Sequence, residues 1–290
     1  MRFTKMQGLG NDYIYVDALE QEVPSPALLS RGISDRHFGI GGDGLILLLP
    51  ATRPDADFRM RIFNADGSEA KMCGNGIRCL ARYIYTRGLL QRPELHIETL
   101  AGVRTVWLTL EGGKVTGARV DMGEPVLEPQ RIPMAASGPE FVRQPLPFEI
   151  QGNRLEVLAT AVSMGNPHCV LEVEDTAKAP VETWGPAIEH HPAFPERVNV
   201  EFVQVLESGH LKVRVWERGS GETLACGTGA CASLVAAHRW GKTGRRAQVS
   251  LPGGSLEIEW GPDGHVYMTG PAVEVFEGDF DPWQFLPAES

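Results

Sequence analysis

Apolar and polar positions alternate through much of the chain. Phe58, Met60 and Ile62 alternate with polar neighbours, as Val213 and Val215 do with Lys212 and Arg214. That is the period of a strand with one buried face. Leu155–Leu158, Leu256–Trp260 and Val266–Met268 repeat the pattern, and the run Leu45–Leu49, stopped by Pro50, also reads as a strand. Glycine (33) and proline (21) fall mostly between these runs, as turn punctuation.

Three segments carry helical spacing instead. One starts after Ser25 with Pro26 in its first turn and is predicted to run to about Asp35. A second starts near Asn75, where Ile77, Leu80, Ala81 and Ile84 share a face and Gly88 can close the helix. The third runs from near Thr228 to about Trp240, with Gly241 as its stop. Its middle, ACASLVAA, is small and apolar nearly all round, which predicts a buried helix.

An internal repeat organises these elements. Cys73 aligns with Cys226 at an offset of 153, and the same offset pairs Arg61 with Arg214, Glu69 with Glu222 and Gly88 with Gly241. CGNG (Cys73–Gly76) and CGTG (Cys226–Gly229) lie at its centre. Further upstream the offset becomes 155, matching Gly10-Asn11 to Gly165-Asn166. Each half thus reads strand, loop, CGxG, helix, glycine. The pattern predicts two similar domains with a short connection near Asp121–Pro125.

Composition narrows the function classes. The 290 residues suffice for two cores, and 42% hydrophobic with 22% charged residues is ordinary for a globular protein. A net charge of −10 argues against nucleic acid or an anionic membrane as partner. The N-terminal MRFTKMQGLGND has no secretory apolar run, and no stretch approaches the roughly 20 apolar residues of a membrane span, so the expected compartment is the cytoplasm. Five cysteines, an odd number, are read as reduced thiols.

A cysteine on the turn before a helix sits beside unpaired backbone N–H groups and the positive end of the helix dipole. Both favour a thiolate. The glycines allow close approach of a ligand, and the same N–H groups can hold a carboxylate. Two such turns in a repeated chain suit inversion at one carbon, with a thiolate taking a proton from one face and a thiol giving one to the other. The weakly acidic α-hydrogen of an amino acid requires that the developing charge be stabilised, which N–H groups aimed at the carboxylate can do once water is excluded.

These residues resemble the diaminopimelate epimerase family. The likeness covers essentially the whole chain and rests on KMQGLGNDY (Lys5–Tyr13), RIFNADGSEAKMCGNGIRC (Arg61–Cys79), VSMGNPHCV (Val162–Val170), PERVNVEF (Pro195–Phe202), ERGSGETLACGTGACA (Glu217–Ala232) and LPGGSLEIEW (Leu251–Trp260). It implies conversion of LL-diaminopimelate to the meso form in lysine and peptidoglycan-precursor biosynthesis, with no pyridoxal phosphate, other cofactor or metal, by a cytoplasmic homodimer. The implied fold is α+β, with two pseudo-symmetric domains, each a mixed or antiparallel sheet wrapped around a central helix. The first domain takes 1–121 and 270–290, and the second 122–269.

Carried over by position, Cys73 and Cys226 are the acid–base pair, assisted by His168 and Glu217. Gly74, Asn75, Gly227 and Thr228 bind the carboxylate at the reacting centre. Asn11, Asn64, Asn166, Asn199 and Arg218 bind elsewhere on the substrate, and Glu217 also lies against it. One position departs from the pattern: some family members carry Gln where this chain has Gly44, the repeat partner of Asn199, so no side chain is assigned there.

Other readings compete. Gly39–Gly44 spells GxGxxG, but a strand follows it where a dinucleotide site requires a helix. Cys73 with Cys79, and Cys226 with Cys231, have neither one-face helical spacing nor zinc-knuckle spacing. Cys79, Cys169 and Cys231 read as inert core residues. A two-cysteine proline or hydroxyproline racemase would have His where Asn75 stands and would bind a compact substrate. A non-catalytic amino-acid-binding protein of the same fold leaves the helix-start thiols without a purpose.

Overall fold

A computed structural model of the chain describes residues 1–286. It divides into two compact units, one formed by Met1–Asp121 with the segment from Thr269 onward, the other by Met122–Met268. Of the segment 270–290 expected in the first domain, residues 287–290 lie outside the described residues.

The first unit opens with β1 (Arg2–Gly8), β2 (Asn11–Asp17), α1 (Pro26–Ile33), β3 (Gly44–Pro50), β4 (Phe58–Asn64), β5 (Glu69–Ala70), α2 (Gly74–Thr86), β6 (Glu94–Thr99), β7 (Gly102–Glu111) and β8 (Lys114–Asp121). The second contains β9 (Gln144–Ile150), β10 (Asn153–Ser163), β11 (Pro167–Glu172), α3 (Val181–Glu189), β12 (Asn199–Glu207), β13 (His210–Glu217), β14 (Gly221–Thr223), α4 (Gly227–Arg239), β15 (Arg246–Leu251) and β16 (Gly254–Trp260). The chain returns along β17 (Val266–Gly270), and β18 (Val273–Asp279) belongs to the first unit.

The repeat extends to strand pairing. In the first unit β1–β2 is antiparallel, β2–β3 parallel, β3–β4 antiparallel and β4–β6 parallel. The second unit has the same order in β10–β11, β11–β12, β12–β13 and β13–β15. A terminal strand adds antiparallel to each, β18 on β1 and β9 on β10. Register repeats too: Phe63 faces Glu69 and Ile62 faces Ala70, as Trp216 faces Glu222 and Val215 faces Thr223. Arg61 grips Glu69 at 2.7 and 3.0 Å, and Arg214 grips Glu222 at 2.6 and 2.8 Å. These paired, fork-shaped contacts pin equivalent hairpins just before each CGxG turn.

Each sheet buries both faces. Leu45 and Leu47 of β3 pack with Leu29 and Ile33 of α1. On the other side α2 lies against β1, β2, β7 and β8, while α4 lies against β10–β13, β15 and β16. This explains why Leu45–Leu49 is apolar without alternation. Each aliphatic side chain fully buried this way contributes roughly 1.5–3 kcal/mol. All five cysteines are free thiols.

The helices expected from spacing are present, with α1 ending at Ile33, two residues before the expected stop. Gly88 and Gly241 follow α2 and α4 with φ of 74° and 73°, a conformation that disfavours any residue with a Cβ. Helix α3 has no counterpart among the expected elements. Its Pro186 interrupts helical spacing, and a Cβ at its Gly185 would stand 2.5 Å from the Trp216 ring, so close packing on β13 rather than local propensity holds it. Among the described residues, no helix is long and apolar enough to cross a membrane.

Candidate functional site

Each CGxG turn builds the same cap. Cys73 is the N-cap of α2 and its Sγ accepts from the Gly76 N–H at 3.3 Å, while Cys226 caps α4 and accepts from the Gly229 N–H at 3.4 Å. Glycine at the third helical position leaves room for a neighbouring side chain in both. A Cβ at Gly76 would lie 2.6 Å from Ile46 Cδ1, and one at Gly229 would lie 2.8 Å from Glu201 Oε1. Gly74 and Asn75, like Gly227 and Thr228, form the first turn of their helices, whose backbone N–H groups point along the axis. Helix starts of this kind can hold an anion.

In the first unit the half-buried Cys73 thiol donates to Asn11 Oδ1 at 3.4 Å, and Asn75 Nδ2 donates to the same oxygen at 3.4 Å. Asn75 Oδ1 accepts from Arg78 at 2.9 Å. Arg78 is fully buried and also donates to the carbonyls of Gly74 and Pro271, so a hidden guanidinium fixes the helix start. Asn64, at the end of β4, spends its amide on Ser68 within its own turn at 3.0 Å. The structure therefore gathers Asn11, Cys73, Gly74 and Asn75, with Asn64 engaged locally.

Asp43 and Tyr13 were not among the residues singled out from sequence. Asp43 accepts from the Asn11 amide and from the Asp12 backbone N–H. Asp12 in turn pairs with Lys5 at 2.7 Å and Arg36 at 2.7 Å. Burial raises the Asp12 carboxyl, but the hydrogen bonds and charges of Arg36 and Lys5 outweigh it and hold the group below the usual carboxylate value. Tyr13 is buried, and burial with the nearby Cys73 and Asp43 pushes its phenol well above the ordinary range. The signal for Tyr13 lay in the offset of 155, which pairs it with His168.

In the second unit Cys226 Sγ lies 3.5 Å from Thr228 Oγ1, which accepts from Asn166 Nδ2 at 3.3 Å. Asn166 Oδ1 is 3.1 Å from His168 Nε2. Asn199 uses both ends of its amide on backbone, donating to Pro167 O at 3.0 Å and accepting from the Arg218 N–H at 3.0 Å. It thereby ties β11 to the turn carrying Arg218. The Arg218 side chain is exposed and donates to Glu196 O at 2.9 Å. Glu217 is half-buried and accepts from Thr223 Oγ1 at 2.5 Å. Asn166, His168, Cys226 and Thr228 form one hydrogen-bonded group, while Asn199 holds Arg218 beside Glu217.

At Cys226 burial opposes the effect of the helix start. A helix start was expected to favour the thiolate. Burial instead pushes the Cys226 thiol well above its ordinary value, and the carboxylates of Glu217 and Glu201 add to the shift. The Thr228 hydroxyl and the Gly229 N–H oppose it without prevailing. Partial charges of a helix end are weak beside desolvation and two nearby anions. Burial likewise raises Glu217, against hydrogen bonds from Thr223 and Cys226. Burial also raises two thiols outside the caps, Cys79 to about 11 and Cys169 still further.

Position 44, where the chain lacks a side chain, is closed to one. A Cβ at Gly44 would stand 2.1 Å from the Phe63 carbonyl oxygen of β4. A residue with a Cβ there requires the local backbone to shift.

Comparisons with known proteins agree with one another. The family model described as diaminopimelate epimerase matches residues 3–128 and 160–275. The diaminopimelate epimerase of Moorella thermoacetica is 57% identical across 97% of this chain and 99% of that protein. That of Methanococcus maripaludis is 51% identical across 97% of this chain and 100% of that protein. Among solved structures, a probable proline racemase from Agrobacterium radiobacter aligns with a TM-score of 0.70 at 17% identity, covering 97% of this chain and 92% of its own. A hydroxyproline epimerase from Agrobacterium vitis gives 0.69 at 17% identity, covering 96% and 90%. The structural neighbours share the fold.

Proposed function

Because the chain belongs to the diaminopimelate epimerase family, we propose that it interconverts LL- and meso-diaminopimelate by acid–base chemistry at Cys73 and Cys226. The observation that carries this reading is the duplicated cap: two helices, each begun by a cysteine whose Sγ bonds its own first turn; first turns of this kind suit a carboxylate.

In this reading one sulfur, as thiolate, takes the α-proton, and the other, as thiol, returns a proton to the opposite face. N–H groups of Gly74, Asn75, Gly227 and Thr228 hold the carboxylate and take up charge as the carbanion forms. Protonated Cys226 suits the donor role, since burial with Glu217 and Glu201 favours its thiol. The two thiols exchange roles with the direction of reaction and titrate as a pair. His168 and Glu217 assist at Cys226. Arg218, with donors to spare, and Asn64 suit the distal amino-acid end of a long substrate.

The reading extends to a homodimer working in the cytoplasm on a free small molecule, in lysine and peptidoglycan-precursor biosynthesis, as the family resemblance implies. A net charge of −10 supports a partner other than nucleic acid. The proposal also covers the division of labour between 1–121 with 270–290, carrying Cys73, and 122–269, carrying Cys226.

The test is to supply the purified chain with LL-diaminopimelate and, separately, with L-proline and trans-4-hydroxy-L-proline, and to resolve the stereoisomers. Formation of meso-diaminopimelate supports the proposal. Conversion of an imino acid with diaminopimelate untouched would replace it with the racemase reading.

A further inference from the structure

The two halves differ beneath their helix starts. Under Gly76 lies Ile46, an aliphatic side chain; under Gly229 lies Glu201, whose side chain is fully buried. Ile46 and Glu201 are repeat partners at the offset of 155, each two residues beyond the partners Gly44 and Asn199. The same fold element is therefore satisfied by an apolar residue, and packing alone does not call for a carboxylate at 201. Burying one costs free energy unless it is paired.

Glu201 Oε1 stands 2.6 Å from His168 Nδ1, and neither side chain is exposed. Glu201 Oε2 is buried with no hydrogen-bond partner, so the hydrogen bond to His168 is made by Oε1 alone. From there contacts run unbroken to the sulfur: His168 Nε2 to Asn166 Oδ1 at 3.1 Å, Asn166 Nδ2 to Thr228 Oγ1 at 3.3 Å, and Thr228 Oγ1 to Cys226 Sγ at 3.5 Å. Tyr13, the repeat partner of His168, has no carboxylate at the equivalent place, because Ile46 is there.

We infer that Glu201 is a positioning residue for the chemistry at Cys226: it fixes the Nδ1 proton and ring plane of His168, and His168 through Asn166 and Thr228 sets the hydrogen bond offered to the sulfur. A carboxylate accepts and does not donate, so it keeps the N–H on Nδ1 and turns Nε2 toward Asn166. With the ring doubly protonated, Glu201 accepts from Nδ1–H and Asn166 Oδ1 from Nε2–H, so the amide N–H points at Thr228 and leaves the hydroxyl proton for Cys226. Without its anionic acceptor at Nδ1, the ring would keep only one N–H donor for two acceptor oxygens, and the Asn166 amide could turn end for end. Such outer partners of a reactive histidine govern its orientation and tautomer in many sites. This inference rests on the function proposed above.

The test uses Glu201→Gln and Glu201→Ile. The first keeps size but offers either an oxygen or an amide N–H to Nδ1; the second copies Ile46. A packing role predicts that both variants, once folded, turn over normally. A positioning role predicts that kcat falls by at least about tenfold while KM stays within about twofold, with the melting temperature of Glu201→Gln little changed. The pH profile of kcat should also move, since His168, Glu217, Cys226 and Cys169 all face Glu201. The 15N ring signals of His168 give a readout independent of turnover and should shift in Glu201→Gln. A kcat within about twofold of the parent in Glu201→Gln, or unchanged ring signals, would overturn the inference. If Glu201→Ile fails to fold, Glu201→Gln and the ring signals decide. If the unsubstituted chain leaves LL-diaminopimelate unchanged, the proposed function falls and the ring signals alone decide this point.

Discussion

The Asn11 side chain donates to Asp43 Oδ2 at 2.7 Å, and this bond fixes which end of its amide meets Cys73. An acidic partner at Nδ2 leaves Oδ1 turned toward the Cys73 thiol at 3.4 Å. Asn166, the repeat partner, meets His168 at Oδ1 and Thr228 at Nδ2. The paired asparagines thus present opposite ends toward their two caps.

Replacing Asp43 by Ala releases the Asn11 amide and leaves the Asp12 N–H without its acceptor. We expect kcat/KM for LL-diaminopimelate to fall by about tenfold, the scale of one lost hydrogen bond to a charged group. Steady-state kinetics on Asp43→Ala check this. Unaltered kcat/KM would mean that Asn11 is oriented by something other than Asp43.

The two cap glycines should differ in tolerance. At Gly76 an added methyl meets the free end of Ile46, which can swing away. At Gly229 it meets a Glu201 oxygen held by His168 at 2.6 Å. We expect Gly76→Ala to be nearly neutral, since alanine also favours the helix, and Gly229→Ala to cost about 1–3 kcal/mol. Denaturant unfolding of both variants measures the difference. Equal costs would contradict the rigidity assigned to the Glu201–His168 pair.

Glu217 gives a pH dependence with a definite sign. Its folded carboxyl is raised by burial above the ordinary value of 4.5, so the folded protein holds that proton more tightly than the unfolded chain. The contribution to stability is whole below 4.5 and is lost as pH rises through the raised folded value. Glu217→Gln removes the dependence. Its stability relative to the parent should therefore climb from acid toward neutral pH in unfolding titrations. A difference that stays flat with pH would show that burial does not raise the Glu217 carboxyl.

Much of the site was legible because it is local. CGNG and CGTG, with their spacing to Gly88 and Gly241, state a cap, a helix and a stop within a few residues. The repeat carried further, since Arg61 with Glu69 and Arg214 with Glu222 stand at matched spacing and form matched contacts. The supporting shell was harder to read. Asp43 reaches Asn11 and Glu201 reaches His168 only once parallel pairing brings β3 beside β2 and β12 beside β11. A Glu inside the apolar run NVEFVQV was a signal, though it names no partner. Helix α3 was hidden because Pro186 breaks its pattern and contact with Trp216 holds it. The opposing effect of burial at Cys226 was not legible, because a cap motif does not reveal how deeply its cysteine is buried.

Paired action of the two sulfurs is tested most directly by isotope transfer. The parent chain, Cys73→Ala and Cys226→Ala are each incubated with LL-diaminopimelate in D2O, and deuterium at the α-carbon and the stereoisomer ratio are read together. The parent should place deuterium at one α-carbon of newly formed meso product, and both variants, folded as the parent is, should form none. Meso product from either variant at a substantial fraction of the parent rate would contradict the two-thiol account.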